Sequence, residues 1–305
     1  MIKKLMSLLL AIVAIFSGFS VKSENGIIKY RDMPYGIRYK RQILDLDIPE
    51  KLQGDVNMIM YIHGGGWTSG SKDDLAPALD QYAEFGCVSA ALNYRYCGKP
   101  NHATMDEVLQ DISSALAKIK ETAAERGVNI KGVILSGGSA GAHLALLYAY
   151  KMADKAPIKP VAVYALSPAV DLTDSALIDG TVQSVDPDSP TISPGNWLDI
   201  FSNMIGRKVT FDNIDRYRDE LYDCSPIKYV SGSSVPTVIA HATKDTVLPY
   251  AKAAELDKKL TEYGVTHEFI TFNGSSHGLD NCPEASELLN AALTKYNAEY
   301  LSKVS

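Results

Sequence analysis

The sequence is poor in cysteine, the residue that cross-links chains and binds zinc and iron–sulfur clusters. It has four cysteines in 305 residues, and none stands in a Cys-x-x-Cys pair or near a histidine with metal-ligand spacing. We therefore predict no metal site and no cofactor. In an oxidising compartment the four thiols could form two disulfides, and three pairings are then open. The cysteines are Cys87, Cys97, Cys224 and Cys282.

An excess of basic residues is also absent. Lys and Arg number 30 against 36 Asp and Glu, which gives a net charge of -6. Because nucleic-acid phosphates attract basic surfaces, this balance argues against a nucleic-acid partner. The sequence contains no internal repeat and no low-complexity tract, so we expect one globular domain after the N-terminal segment.

Long apolar runs are absent except at the start. Residues 5–19 are mostly apolar and follow the basic pair Lys3 and Lys4. A basic start, an apolar stretch too short to span a bilayer comfortably and small residues after it are typical of a secretory signal. We predict a signal peptide over residues 1–23, cut after Ser23 in preference to Ser20. The protein is then secreted or periplasmic, without membrane contact after cleavage; a retained anchor is the alternative.

The rest of the chain alternates between strand and helix patterns. This alternation predicts an α/β fold over residues 24–305, with a mostly parallel sheet covered by helices on both faces. The predicted strands are 27–30, 37–48, 57–62, 87–92, 131–135, 161–166, 237–240 and 267–272. The predicted helices are 75–85, 104–126, 250–263 and 284–301.

Residues 171–223 interrupt this rhythm. The segment is rich in Asp, Ser, Thr and Pro, with short helices expected at 197–205 and 215–221. We interpret it as a cap-like excursion over the active edge of the sheet, not as a second domain. Its aspartates lack EF-hand spacing, so a solvated loop is favoured over a calcium site. They are Asp171, Asp174, Asp179, Asp186 and Asp188.

A Gly-x-Ser-x-Gly motif lies between a predicted strand and a predicted helix. Ser139 is its centre, with Gly137 and Gly141 two residues to either side. In this setting the motif predicts a nucleophile elbow, a tight turn that exposes the serine hydroxyl above the sheet edge. An ordinary glycine-rich turn is the alternative. We predict Ser139 as a catalytic nucleophile.

A serine nucleophile needs a base and an acid behind the base. Asp245 and His277 each follow a predicted strand end, and the order Ser139, Asp245, His277 is that of the α/β-hydrolases. Asp171 also follows a strand end and competes for the acid role. His267 stands at the starting end of its strand, which is the wrong edge. We expect structural or rim positions for the other candidate histidines, His102, His143 and His241.

A second glycine motif can supply hydrogen-bond donors for a developing oxyanion. His63 is followed by three glycines at a predicted strand end, where backbone amides can point into one space. The amide of Ala140, at the start of the elbow helix, adds another donor.

These motifs resemble those of the hormone-sensitive-lipase-like esterases of the α/β-hydrolase superfamily. The resemblance rests on residues 63–67 (His-Gly-Gly-Gly-Trp), 93–95 (Asn-Tyr-Arg) and 137–141 (Gly-Gly-Ser-Ala-Gly). It extends to the bacterial esterase/lipase group with feruloyl- and acetyl-xylan-esterase-like members. The chain departs from the family in lacking a substantial N-terminal pair of cap helices and in its acidic excursion over residues 171–223, which leaves substrate size and acyl preference open.

The resemblance implies an α/β-hydrolase fold and a role for each motif residue. Ser139, Asp245 and His277 are then the catalytic residues. The amides of the oxyanion hole come from Gly65, Gly66 and Ala140, and His63 is structural. Trp67 and Tyr94 are candidate substrate-binding residues.

The function predicted from these residues is that of a serine carboxylesterase. It acts on short-chain or carbohydrate-linked esters through an acyl-enzyme, so its partner is a small-molecule or oligosaccharide ester. A formamidase or a peptidase would use the same residues, although little chain precedes residue 57 to form a peptidase accessory domain. A non-catalytic hydrolase-fold binding protein is a further alternative, disfavoured because every catalytic part is present.

Overall fold

A nine-stranded sheet organises the part of the chain that the computed structural model describes, residues 19–180 and 194–301. The strand order is β1-β2-β3-β5-β4-β6-β7-β8-β9. Strands β5, β4, β6, β7, β8 and β9 are parallel, whereas β1, β2 and β3 run antiparallel at one edge. The strands are Ser20–Glu24, Ile27–Pro34, Ile43–Pro49, Gly54–Ile62, Val88–Asn93, Val128–Gly138, Lys159–Leu166, Thr237–Ala242 and His267–Phe272.

Helices connect the parallel strands and cover both faces of the sheet. The α-helices α1–α8 in the described residues are Ala76–Glu84, Met105–Ala124, Ala140–Lys151, Ser175–Ile178, Pro194–Ile205, Arg218–Tyr222, Tyr250–Glu262 and Pro283–Tyr300. Helix α2 begins with a capping box, in which Thr104 and Glu107 satisfy each other's backbone amides. Its apolar side, which includes Val108, Ile112 and Ala115, is buried.

The alternation of side chains on the central strands explains why both faces need cover. On β4, Met58, Met60 and Ile62 enter the hydrophobic core on one face of the sheet. Ile59, between them, enters the core on the other face. The sequence of a strand that is buried on both faces is a nearly continuous apolar run, as it is in β4.

Arg95 holds the end of β5 against helix α2. Its guanidinium donates to both carboxylate oxygens of Asp111, with Nε to Oδ2 at 2.9 Å and Nη2 to Oδ1 at 2.9 Å. Both side chains are buried, and a two-pronged contact of this kind satisfies the charges away from water. The arginine of the Asn-Tyr-Arg motif is therefore a structural clamp.

The structure corrects several sequence-based element boundaries. The strand predicted over 37–48 begins only at Ile43, because residues 36–42 form a bend closed by a hydrogen bond from the Tyr35 amide to the Gln42 carbonyl. Ile37 is fully exposed in that bend. Strand β1 was not predicted, and it lies in the segment assigned to the signal peptide. The short helix α4 was also missed.

Further features bear on the remaining sequence predictions. All four cysteines are free thiols, so none of the possible disulfides is present. Within residues 19–180 and 194–301, no helix is long and apolar enough to cross a membrane. The apolar run at 5–18 and the predicted loop aspartates Asp186 and Asp188 lie outside the described residues.

Candidate active site

Ser139 occupies a strained turn between β6 and helix α3. Its φ of 54° and ψ of -121° lie in a region that L-residues rarely adopt. The Ser139 amide donates to the Leu166 carbonyl at the end of β7, at 2.8 Å. The neighbouring glycines are required by close packing: a Cβ on Gly141 would lie 2.0 Å from the Ile62 carbonyl oxygen, and one on Gly137 would lie 2.5 Å from the Gly141 carbonyl carbon. The geometry is that of a nucleophile elbow.

His277 and Asp245 are in direct contact. Nδ1 of His277 lies 2.7 Å from Oδ2 of Asp245, whose side chain is fully buried. Since a carboxylate accepts, Nδ1 carries the proton and Nε2 is left with a free lone pair. The other carboxylate oxygen accepts from the amides of Val247 and Leu248, both at 2.9 Å.

These donors keep Asp245 ionised. Burial alone would raise the pKa of this carboxyl, but hydrogen bonds from His241 and His277 oppose it, and the pKa is lowered well below its usual value. An acid that is ionised at neutral pH and lies behind His277 is the arrangement that stabilises an imidazolium.

His241 is a contact of Asp245 that the sequence reading assigned only to a structural or rim position. Its ring is wholly buried, with Nε2 3.1 Å from Oδ2 of Asp245 and 3.1 Å from the Leu248 carbonyl oxygen. Both partners accept, so Nε2 carries the proton. The ring's Nδ1 is buried without a partner in the described part of the chain. The spacing His-x-x-x-Asp after a strand was the available signal.

Ser167 is a second residue that the sequence reading missed. Its hydroxyl donates to the backbone carbonyl of His277 at 2.9 Å, and its amide donates to the Ala240 carbonyl at 2.8 Å. The preceding carbonyl, that of Leu166, accepts from Ser139. The dipeptide Leu166–Ser167 therefore holds the turn of Ser139 and the loop of His277 at the same edge of the sheet.

The glycine loop after β4 packs against the elbow. A Cβ on Gly64 would be 2.9 Å from the Gly138 carbonyl oxygen and 3.5 Å from the Ser139 Cβ. Gly65 and Gly66 have φ of 99° and 56°, which glycine adopts without strain. Among the described residues, neither of these two amides donates to a protein acceptor. The loop thus leaves backbone donors beside Ser139.

Buried polar contacts hold the glycine loop in place. Nδ1 of His63 donates to the Gly64 carbonyl at 2.8 Å, and Nη2 of Arg41 donates to Nε2 at 3.2 Å. Burial, together with the nearby Arg41 charge, lowers the pKa of His63 to about 4, so the ring is neutral at pH 7. The Tyr94 hydroxyl donates to the His63 carbonyl at 3.0 Å.

The structure gives Trp67 and Tyr94 a different role from the predicted substrate contact. Tyr94 is wholly buried and stacks on His63 with ring centroids 4.3 Å apart. Trp67 is 1% exposed and donates from Nε1 to Nδ1 of His143 at 3.1 Å. Both side chains support the glycine loop from the core. The packed position expected for His143 agrees with these contacts.

The competing residues are held elsewhere. Asp171 accepts from the amide and hydroxyl of Thr173, at 2.9 and 2.6 Å, and lies 3.7 Å from Lys252. His267 pairs with Asp257 at 3.0 Å, away from Ser139 on the chain and on the sheet. In the described part of the chain, no group of three His, Cys, Asp or Glu residues could hold a metal ion.

The mostly parallel sheet, the elbow and the histidine–aspartate pair after the last strands define an α/β-hydrolase. The chain belongs to the family described as BD-FAE, whose model matches residues 44–260. A model of the dienelactone hydrolase family also matches residues 222–302. The resemblance to α/β-hydrolase esterases drawn from the motifs is confirmed.

Curated relatives include Esterase LipQ of Mycobacterium tuberculosis, 27% identical over 256 residues that cover 82% of this chain and 57% of LipQ. The probable carboxylic ester hydrolase LipM of the same organism is 28% identical over 216 residues, 68% of this chain and 45% of LipM. The chain thus spans about half the length of these relatives.

Solved structures with the same fold cover nearly the whole chain. Esterase Est2 of Thermogutta terrifontis has a TM-score of 0.66 at 22% identity, covering 94% of this chain and 97% of that one. A truncated carbohydrate esterase from gut microbiota has a TM-score of 0.68 at 17% identity, covering 90% and 99%. At this identity the likeness shows the α/β-hydrolase fold.

Proposed function

We propose that this protein is a serine carboxylesterase that works through an acyl-enzyme. The observation that carries the proposal is the 2.7 Å contact between His277 Nδ1 and the buried Asp245 carboxylate, at the sheet edge where Ser139 stands in its strained turn. The esterase names of the curated relatives support it, and they favour ester hydrolysis over formamide or peptide hydrolysis.

In the proposed mechanism Ser139 attacks the ester carbonyl while Nε2 of His277 takes the hydroxyl proton. Asp245 stays ionised and stabilises the imidazolium that forms. The imidazolium then gives its proton to the leaving alcohol. A water molecule activated by the same nitrogen hydrolyses the acyl-enzyme and regenerates the free serine.

The amides of Gly65, Gly66 and Ala140 are the proposed oxyanion donors. The first two lie in the loop that packs on the elbow. Ala140 is the first residue of helix α3. Backbone amides at the start of a helix have no acceptor within the helix and form the positive end of its dipole. Donors fixed in place before reaction cost no reorganisation when negative charge develops.

Short-chain or carbohydrate-linked esters are the proposed substrates. The Thermogutta terrifontis esterase was solved with propionate and with butyrate bound, and another neighbour is a carbohydrate esterase. Lipase action is disfavoured because the excursion carries Asp171, Asp174, Asp179, Asp186 and Asp188, where a lipase lid would need a large apolar face. A lid that opens on lipid must expose such a face. Failure to release acetate or ferulate from xylan fragments would count against the carbohydrate esters.

Export through a cleaved signal peptide is part of the proposal. The basic and apolar pattern of residues 1–19 supports it. Strand β1 pairs with β2 from Ser20 to Glu24, so a cut after Ser23 removes most of an edge strand and a cut after Ser20 keeps most of it. Mass spectrometry of the N-terminus of the exported protein distinguishes the two sites from a retained leader.

The decisive experiment is hydrolysis of p-nitrophenyl acetate, butyrate and decanoate by the protein and by Ser139→Ala. We expect activity on the shorter esters and a loss of at least about 10⁴-fold in kcat for the variant. Ser233→Ala, in an exposed loop, is the matched control and should retain full activity. Equal, negligible rates for the protein and Ser139→Ala would refute esterase action on simple esters and direct the search to formamides, peptides or a binding role.

A further inference from the structure

A cavity of about 1220 Å³ lies beside the glycine loop, between residues 98–104 and the excursion. Thr68 forms part of its wall, and the Thr68 amide donates to the Gly65 carbonyl at 3.0 Å. His102 and Asn203, from the two sides of the cavity, are linked by a 3.2 Å contact between Nδ1 and Oδ1. The cavity is therefore built from elements that also hold the candidate active site.

The cavity adjoins the glycine loop that packs against Ser139. Gly64 packs on the Ser139 Cβ. Thr68 is four residues after Gly64, so the Cα atoms of Gly64 and Thr68 are at most about 14 Å apart. Trp197 of helix α5 stacks edge-on against Trp67, with ring centroids 5.7 Å apart, and the next residues of α5 line the cavity. A substrate whose ester reaches Ser139 can extend its remaining part into this space.

The charge of the lining is opposite to that of the whole protein. Lys99, Arg207 and Lys208 line the cavity with a single carboxylate, that of Asp199, although the net charge of the chain is -6. In the described ranges, none of the three cations has a carboxylate oxygen within 4.0 Å. Three cations that line one cavity and have no carboxylate partner in the described ranges favour an anionic ligand group.

The remaining lining suits a carbohydrate. Hydroxyl and amide side chains of Thr68, Asn203 and Thr210 can exchange hydrogen bonds with sugar hydroxyls. Phe211 is 53% exposed and offers an aromatic face to a sugar ring. The net negative charge of the protein would repel a polyanion such as nucleic acid. A sugar with a single carboxylate is small enough to be attracted by the cations of the cavity.

We propose that this cavity is a subsite for a uronic-acid sugar on the alcohol side of the ester, with Lys99, Arg207 and Lys208 facing its carboxylate. The proposal rests on the proposed esterase function and names the substrate class: acylated oligosaccharides that carry a carboxylate.

The test compares two acetylated xylo-oligosaccharides of equal length, one with a glucuronic acid branch and one without. The variant is Arg207→Gln/Lys208→Gln, and the matched control Lys155→Gln/Lys258→Gln removes the same charge from exposed positions outside the cavity. We expect the variant to lose about five- to tenfold in kcat/KM on the acidic substrate, and less than about twofold on the neutral one and on p-nitrophenyl acetate. The preference for the acidic substrate should also weaken with added salt.

The outcomes separate the two proposals. If the unmodified protein hydrolyses p-nitrophenyl acetate but shows no preference for the acidic oligosaccharide, the subsite is refuted and the esterase stands. Equal losses for the variant and the control refute it too, since they reflect overall charge. If no ester is hydrolysed at all, the proposed function fails first.

Discussion

The assignment of the acid makes a sharp prediction for Asp245→Asn. The carboxylate accepts four hydrogen bonds, from His277, His241 and two backbone amides. An asparagine of the same shape has only one acceptor oxygen. If that oxygen stays with the amides of Val247 and Leu248, the NH₂ group faces the two histidines. His277 can then hydrogen-bond to it only with an unprotonated Nδ1, which moves the proton to Nε2.

A proton on Nε2 removes the base, because that nitrogen must accept the proton of Ser139. The imidazolium also loses the charge that stabilises it. We expect kcat on p-nitrophenyl acetate at pH 7.5 to fall by about 10³- to 10⁴-fold, or about 4 to 5.5 kcal/mol. KM should change little, since no substrate contact is altered.

The matched control is Asp171→Asn, the acid that the sequence also allowed. Its contacts are with Thr173 and Lys252, so we expect a change in kcat of less than about threefold. Thermal unfolding of both variants verifies that each is folded. A large loss for Asp171→Asn with a small loss for Asp245→Asn would refute this assignment of the acid.

Three further predictions concern the packing and protonation around the site. Gly141→Ala should destabilise the protein by at least about 3 kcal/mol in urea unfolding, because the new Cβ clashes with backbone atoms. In the control Gly138→Ala the nearest atom to the new Cβ is 3.9 Å away, so the loss should be under about 1 kcal/mol. Similar losses for the two variants would contradict the clash. His241→Phe should lower kcat about tenfold and make acid unfolding begin at a higher pH. The variant lacks a hydrogen-bond donor that lowers the Asp245 pKa, and the stability that depends on this ionised carboxylate is lost as pH falls. Acid unfolding that begins at the same pH as in the unmodified protein would contradict this. Burial lowers the pKa of His143 to about 4. As pH falls from about 6.5 to 4, the histidine therefore takes up a proton in the unfolded state before it does so in the folded state, and the urea midpoint of unfolding should drop. A urea midpoint that stays constant over this pH range would contradict the prediction.

The sequence predicts most of the sheet because its central strands are local signals. Apolar runs such as residues 57–62 can only be buried strands once glycine turns bound them, and the elbow motif then fixes where the chemistry lies. The bend at 36–42 could not be foreseen in the same way. Ile37 continues the apolar pattern of the following strand, but the hydrogen bond from Tyr35 to Gln42 turns the chain before that strand begins.

Contacts between distant segments were harder to predict than the motifs. Ser167 has no sequence signature of its own, and the spacing of His241 four residues before Asp245 is a weak signal, since buried histidines and serines after strands are common in α/β proteins. Their importance follows from what they touch, the Asp245 carboxylate and the His277 backbone. Tyr94 and Trp67 were misplaced for the opposite reason: large aromatics near a site suggest a substrate surface, yet here they fill the core beneath the loop.

The contacts also separate the part of the molecule that performs the reaction from the part that chooses the substrate. Hydrogen bonds through Leu166 and Ser167 tie Ser139 to the His277 loop, and the glycine loop packs against the elbow. Substitutions there should therefore change kcat for every ester alike. The cavity beside the loop carries three exposed cations, Lys99, Arg207 and Lys208. In the described part of the chain, none of their side chains hydrogen-bonds to the glycine loop or to a catalytic residue. Changes there should therefore act on the ratio of kcat/KM between two substrates, and leave the rate on a simple ester unaltered.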